Sequence, residues 1–120
     1  MYQIITDGSW DMGSERAARF GVEVVPYYVN MDGEHYLKEI EELDVRDFYQ
    51  FMVDNPKIFP KTSLPTVQDY YDVFEKYAKQ GIDIICFTLS AKFSGSYNSA
   101  RNAGSMILEN YPAIRVTVMD

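Results

Sequence analysis

One stretch of the chain, residues 82–89, is nearly all apolar, and helix-like patterns stand on both sides of it. Strands that are buried on both faces of a parallel sheet have this character, whereas half-exposed antiparallel strands alternate polar and apolar residues. Parallel strands are joined through crossover segments, which are usually helices. We therefore expect an α/β fold with a mostly parallel sheet and helices on both faces.

The other elements follow from hydrophobic periodicity and from residues that begin or end helices. Thr66 with Asp69 three residues later has the spacing of a capping box. Pro26 interrupts a β-rich run and indicates an edge position or a bend. The predicted strands cover residues 2–6, 22–29, 34–37 (after a hairpin turn), 82–89 and 114–119, and the predicted helices cover 15–20 after a Ser14 cap, 45–55 after an Asp44 cap, 67–81 and 96–110.

Length and composition favour one domain and exclude several functions. A chain of 120 residues with 47% hydrophobic residues can form one packed core, but not two ordinary domains. The net charge of −7 argues against nucleic-acid binding, which needs clustered Lys and Arg. The single cysteine, Cys86, lies in the apolar stretch and is expected in the core. No apolar run approaches the ~20 residues of a membrane span and no secretory pattern opens the chain, so we expect a cytoplasmic protein.

Three segments rich in small polar residues stand where strands end or helices begin: residues 6–11, 61–66 and 89–97. In an open parallel sheet, the loop from the carboxyl end of a strand to the next helix carries free backbone N–H groups. The N-terminus of that helix also favours an anion. This arrangement fits a carboxylate or a phosphate, and it equally fits an ordinary helix cap.

Within these segments, five residues can contribute to such a site. Ser94 and Ser96 can add hydroxyl donors, and Gly95 lets the backbone approach a ligand closely. Thr62 and Ser63 can do the same from the neighbouring segment. We therefore treat these side chains as candidate ligand-binding residues.

Other chemistry has less support in the sequence. The common phosphate-binding patterns and the nucleophile elbow are absent. A serine nucleophile needs a base, but the only histidine, His35, falls in or beside the predicted hairpin turn and is expected at the surface. One histidine and one cysteine make a closed zinc site implausible, so no metal or cofactor is implied. Asp7 and Asp11 could bind a hard cation, although capping of their own loop explains them better.

Four motifs in this order resemble the DegV family over the whole chain. The family's Asp-Ser-Thr-Ser-Asp-Leu stands here as Asp7-Gly8-Ser9-Trp10-Asp11-Met12, and its Val-Val-Pro strand as Val24-Val25-Pro26. Its Thr-Ser-Gln-Pro-Ser stands as Thr62-Ser63-Leu64-Pro65-Thr66. Its most specific segment, Leu-Ser-Gly-Thr-Tyr-Gln-Ser-Ala, is matched by Phe93-Ser94-Gly95-Ser96-Tyr97-Asn98-Ser99-Ala100. The final strand with Asp120 is similar to the family's Val-Asp-Ser segment.

The resemblance implies a bacterial fatty-acid-binding protein that is not itself an enzyme. Family members have two α/β domains with a fatty acid between them, so residues 1–120 would be the N-terminal domain and the second domain would be absent from this chain. The protein would hold a long-chain fatty acid and present it to a separate ATP-binding fatty acid kinase subunit. By the matching motifs, Thr62 and Ser94 would hydrogen-bond the carboxylate, with Ser63 and the Gly95 amide in support.

The chain departs from the family at Gly8 and Trp10, where the family has serines, and at Leu64, where it has glutamine. The family's second domain also supplies a basic or histidine residue to the carboxylate. Half a pocket would expose apolar surface, and such a surface favours a dimer. Two alternatives stay open: a binder or hydrolase of phosphate esters that uses the loop with Ser94, Gly95 and Ser96, and an interaction domain without a ligand.

Overall fold

A computed structural model describes residues 1–11, 13–39 and 42–120. Predictions that involve Met12, the last residue of the first motif, fall outside the described residues. In chain order, the elements are β1 (Tyr2–Asp7), a short 3-10 turn (Gly8–Trp10), α1 (Gly13–Phe20), β2 (Val22–Val25), β3 (Tyr28–Asn30), β4 (Tyr36–Lys38), α2 (Val45–Asp54), β5 (Lys61–Ser63), α3 (Val67–Ala78), β6 (Asp83–Phe87), α4 (Ser96–Asn110) and β7 (Val116–Met119).

The main sheet has four parallel strands in the order β2-β1-β6-β7. The apolar stretch 82–89 supplies β6, an inner strand, and the expected parallel α/β sheet is confirmed. From β1 the chain crosses in one direction to β2, and from β6 it crosses in the other direction to β7. Because such crossovers are right-handed, α1 and α4 lie on opposite faces of the sheet.

The core lies between the sheet and the pair α3 and α4, which pack against each other. Alternate residues of β1 and β6 point into it, including Ile5, Ile84 and Cys86, all of which are buried. The expectation that Cys86 is a core residue is confirmed, and burial raises the pKa of its thiol to about 12. The helices contribute the other main buried apolar residues: Tyr70, Phe74, Ala78, Ala100, Ala103 and Ile107.

A second, antiparallel sheet in the order β4-β3-β5 lies beside the parallel one. The predicted strand 22–29 is divided at Pro26 into β2, which is an edge strand of the main sheet, and β3, which belongs to the second sheet. The bend predicted at Pro26 is the point where the chain passes from one sheet to the other. The predicted hairpin is confirmed, with β4 starting two residues later than expected. No strand was predicted over residues 61–66, and this was wrong in part, because residues 61–63 form β5. Their Lys-Thr-Ser sequence has no apolar face of its own, and the strand exists through its pairing with β3.

The helix boundaries follow the caps closely. The Asp44 carboxylate accepts a hydrogen bond from the N–H of Arg46 at 2.8 Å, and α2 ends at Asp54, one residue before the predicted end. Thr66 and Asp69 form the expected capping box of α3. The Ser14 prediction was wrong, because α1 already begins at Gly13 and places Ser14 inside the helix. None of the helices in the described part of the chain is long and apolar enough to span a membrane.

Candidate functional site

The best candidate site lies where β1 and β6 send their connections to opposite faces of the sheet. These two strands are adjacent and parallel. The outgoing loops therefore diverge and leave a crevice at the carboxyl ends of the strands, which is where open α/β sheets bind ligands. Asp7 ends β1 and residues 88–95 follow β6, so both lie at this crevice.

The Asp7 carboxylate is fully buried and joins the two loops through hydrogen bonds. The N–H and the hydroxyl of Ser9 donate to its Oδ1, the N–H at 3.0 Å. Its Oδ2 accepts from the N–H of Leu89 at 2.9 Å, from the Ser96 hydroxyl at 2.8 Å and from the Tyr27 hydroxyl at 3.2 Å. These donors replace the water that a buried carboxylate loses. The interpretation of Asp7 as a residue that caps its own loop is confirmed.

Ser96 does not have the role that the sequence suggested. It is fully buried at the first position of α4, and its hydroxyl donates to Asp7. The Tyr70 hydroxyl forms a second hydrogen bond with it from α3. Ser96 therefore links α4, α3 and β1 and cannot reach a ligand, because its hydroxyl is engaged inside the core.

Ser94 and Gly95 are half-buried at the N-terminus of α4. The Ser94 Oγ accepts from the N–H of Ser96 at 3.1 Å and lies 3.3 Å from the Tyr27 hydroxyl. The N–H of Gly95 makes no hydrogen bond within the described residues. A Cβ on Gly95 would lie 3.4 Å from Cδ2 of Leu64, so the segment after β5 approaches this loop closely.

Thr62 and Ser63 lie on β5, paired with Val29 and Tyr28 of β3. Both are exposed, and their hydroxyls have no hydrogen-bonding partner in the part of the chain that the structure describes. The contact between Leu64 and Gly95 brings their segment next to Ser94. Segments 61–66 and 89–97 thus meet directly. Segment 6–11 is connected to segment 89–97 through the hydrogen bonds of Asp7.

Tyr27 is a residue of the site that the sequence analysis missed. Its hydroxyl lies between Asp7 and Ser94, and burial raises its pKa. Its N–H donates to Glu39 Oε1 at 3.0 Å. A Cβ on Gly8 would overlap the Glu39 carboxylate and lie 2.9 Å from the Tyr27 ring, so the absence of a side chain at Gly8 makes room for both. The sequence feature that could have indicated Tyr27 is Pro26, because the chain leaves the parallel sheet there, just before Tyr27.

Apolar side chains flank the polar loop on its solvent side. Phe93, the neighbour of Ser94, is 82% exposed, and Leu64 and Leu89 are each 37% exposed. Asp120 accepts from the N–H of Ala91 at 3.2 Å and holds the loop from the end of β7. The site therefore combines fixed polar donors with exposed apolar surface.

The remaining sequence candidates lie apart from these donors. His35 is exposed, as expected, and its Nδ1 lies 2.9 Å from Asp32 Oδ2. Asp11 accepts a hydrogen bond from the Tyr49 hydroxyl at 2.6 Å. Within residues 1–11, 13–39 and 42–120, no group of three His, Cys, Asp or Glu side chains is arranged to hold a metal ion. A separate apolar cavity of about 510 Å³ lies between the β3–β4 hairpin and α2, lined by Met31, Asp32, His35, Leu37, Phe51 and Ile58.

Comparison with known proteins places this geometry in one family. Residues 1–120 match the family model described as uncharacterised protein, DegV family. A DegV domain-containing protein of Clostridium perfringens is 36% identical over 118 residues, which are 98% of this chain and 41% of that protein. The chain thus spans about two fifths of the length of such relatives.

Solved structures with the same fold include fatty-acid-binding proteins. A stearic acid-binding protein of Eubacterium ventriosum superposes with a TM-score of 0.92 at 46% identity, over 100% of this chain and 41% of that one. A DegV family protein of Thermus thermophilus, described as fatty-acid-binding, superposes with a TM-score of 0.76 at 30% identity, over 99% of this chain and 40% of that one.

Proposed function

Since the chain belongs to the DegV family, we propose that it is a fatty-acid carrier that holds the carboxylate of a long-chain fatty acid at the crevice between β1 and β6. The two similar structures described as fatty-acid-binding support the ligand class. The proposed donors to the carboxylate are the hydroxyls of Thr62, Ser63 and Ser94 and the N–H of Gly95.

The observation that carries the proposal is the pair of adjacent donors at the start of α4. The Gly95 N–H has no partner within the described residues, and Ser94 stands next to it. A helix N-terminus adds partial positive charge at the same place, and hydrogen bonds to a charged acceptor are stronger than those between neutral groups. Within this domain, a carboxylate can use these donors without a metal or a basic side chain.

The apolar surface beside the donors supports an acyl chain as the rest of the ligand. Phe93 and Leu64 expose apolar surface next to Ser94 and Gly95. Each methylene removed from water contributes about 0.8 kcal/mol, so a long chain supplies most of the affinity while the head group fixes its orientation.

We assign no catalytic residue to this chain, and we propose that a separate ATP-binding kinase subunit phosphorylates the bound carboxylate. The family resemblance supports this partner. The contacts of the serines argue against a hydrolase: Ser96, which donates to the Asp7 carboxylate, is fully buried. The Ser94 hydroxyl is half-buried, and among the described residues its hydrogen-bonding partners are a tyrosine hydroxyl and a backbone N–H, neither of which is a base.

We further propose that residues 1–120 are one domain of a two-domain cytoplasmic carrier, and that the acyl chain is covered by surface from outside this domain. Phe87 and Met119, aligned on the face of the sheet opposite α3 and α4, are 43% and 48% exposed. A second domain would cover such apolar surface in a longer protein, and a second copy would cover it in a dimer.

The test of the proposed site is the affinity of the protein for decanoate, a soluble fatty acid, in wild type and in Ser94→Ala. We expect Ser94→Ala to weaken binding by about 1–3 kcal/mol, the usual cost of removing one partner of a desolvated charged group. The matched control is Ser105→Ala in the same helix, whose exposed hydroxyl donates only to the Arg101 carbonyl. Titration calorimetry measures all three. Equal affinities in wild type and Ser94→Ala would exclude the head-group site.

A further inference from the structure

The two groups of proposed donors belong to different sheets. Thr62 lies on β5, which is an outer strand of the antiparallel sheet and pairs with β3 alone. Ser94 and Gly95 lie in the loop after β6, and the Asp7 carboxylate ties that loop to the parallel sheet. One carboxylate can accept hydrogen bonds from both groups only if the distance between the two segments is fixed.

The two segments meet through a packing contact. In the described part of the chain, no hydrogen bond joins residues 61–63 to residues 89–96. Cδ2 and Cδ1 of Leu64 lie 3.4 and 4.0 Å from the position that a Cβ on Gly95 would take. No other described residue, apart from the chain neighbours of Gly95, has an atom within 4 Å of that position. Leu64 is therefore the contact that sets the spacing between the end of β5 and the N-terminus of α4.

Leu64 can act as a spacer because the chain is held on both sides of it. Before it, β5 pairs with β3, and after it, Pro65 is fully buried and Thr66 caps α3. The Leu64 side chain is 37% exposed, so most of its surface is covered. An apolar side chain that fills the gap between two segments keeps them at a fixed distance, and its removal leaves space into which they relax.

We propose that Leu64 is a positioning residue of the binding site, which holds the Thr62 hydroxyl within reach of a carboxylate that is bound at Ser94. This inference rests on the proposed function, and it adds the residue that joins the two groups of donors. The Tyr27 hydroxyl, 3.3 Å from Ser94 Oγ, also links the second sheet to the loop, but it does so from the side of β3. The spacing of β5 itself depends on Leu64.

The test measures how the loss of each donor depends on Leu64, by titration calorimetry with decanoate. Thr62→Val and Ser94→Ala each remove one hydroxyl, and both changes are made in wild type and in Leu64→Ala. In wild type, Thr62→Val should weaken binding on the order of 10-fold. In Leu64→Ala, where β5 is no longer held, the cost of Thr62→Val should fall to about 2-fold or less. Ser94→Ala should keep its full cost in both backgrounds, because Asp7 still holds its loop.

Two further variants make the comparison specific. Leu108→Ala removes the same atoms from a leucine that is 36% exposed and lies near the C-terminal end of α4. It should leave the costs of both donor variants as they are in wild type. Leu64→Met keeps an apolar contact of similar volume, so the cost of Thr62→Val should return to its wild-type value.

Three results would overturn the positioning role of Leu64. If Thr62→Val costs the same in wild type and in Leu64→Ala, Leu64 does not hold β5. If the costs of Thr62→Val and Ser94→Ala both fall in Leu64→Ala, the leucine acts on the whole head-group site and not on β5. If Thr62→Val has no effect in wild type, there is no donor on Thr62 to position. In all three cases the proposed function stands as long as Ser94→Ala weakens binding in wild type, and without that effect the proposed function fails first.

Discussion

At the scale of single residues, the site depends on the hydrogen bonds that the buried polar side chains make with one another. Asp7 is a carboxylate at the end of a strand, and its donors come from three separate segments of the chain. Gly8 follows it because a side chain there would overlap Glu39 and approach the Tyr27 ring. The departure from the family at Gly8 is thus matched by a glutamate that occupies the space and caps the N–H of Tyr27.

Glu39 gives a prediction at this scale. Burial raises its pKa above the ordinary value near 4.5. A carboxyl group with a raised folded-state pKa stabilises the fold most below its unfolded pKa, and that contribution is lost as pH rises through the folded pKa. Glu39→Gln keeps the Oε1 that accepts from Tyr27 and removes the buried charge. We therefore expect the stability of the variant relative to wild type to increase as the pH rises from the ordinary pKa near 4.5 through the raised pKa of the folded protein.

Urea unfolding at several pH values measures this difference. The informative control is Glu15→Gln, an exposed glutamate in the first turn of α1. A relative stability of Glu39→Gln that does not change with pH, or that falls as pH rises, would contradict the account of Glu39 as a desolvated carboxylate.

At the scale of elements, the sequence predicted a helix or a strand best where contacts between residues close in sequence determine it. The capping box of Thr66 and Asp69 and the cap at Asp44 are contacts between residues two or three apart, so their spacing alone predicts them. β5 could not be predicted in this way, because its polar residues form a strand only by pairing with β3, more than thirty residues earlier. Tyr27 was missed for the same reason: its partners are distant in sequence.

The capping box gives the prediction at this scale. Thr66→Ala removes the side-chain acceptor for the Asp69 N–H, at 3.1 Å, and should cost about 1 kcal/mol of the free energy of unfolding. Ser14→Ala is the matched comparison: it removes a hydroxyl from an exposed position inside α1, where no cap is lost, and should cost about 0.5 kcal/mol or less. Urea unfolding of both variants measures the two costs. Equal losses would mean that the box contributes nothing beyond ordinary helix propensity.

At the scale of the whole molecule, the topology explains why the polar segments form one site. The chain crosses in opposite directions from β1 and from β6, so the loops that follow these strands separate at the centre of the sheet. The sequence did not predict the order of the strands. Because the contact between Asp7 and Ser96 depends on β1 and β6 being neighbours, the sequence could not predict that contact either. The small polar residues of the segments, by contrast, could be recognised in the sequence, and four of them are candidates for ligand binding: Ser94, Gly95, Thr62 and Ser63. Their binding role stays a prediction.

The most direct test of the carrier proposal is an NMR titration of the protein with decanoate, with decanol as the neutral comparison. We expect decanoate to shift the backbone amide signals of residues 62–64 and 93–96, and decanol to shift the signals of residues 93–96 much less because it brings no charge to the donors. Decanoate shifts confined to the apolar cavity near Leu37 and Phe51, with the signals of Ser94 and Gly95 unchanged, would contradict a head-group site at the crevice between β1 and β6.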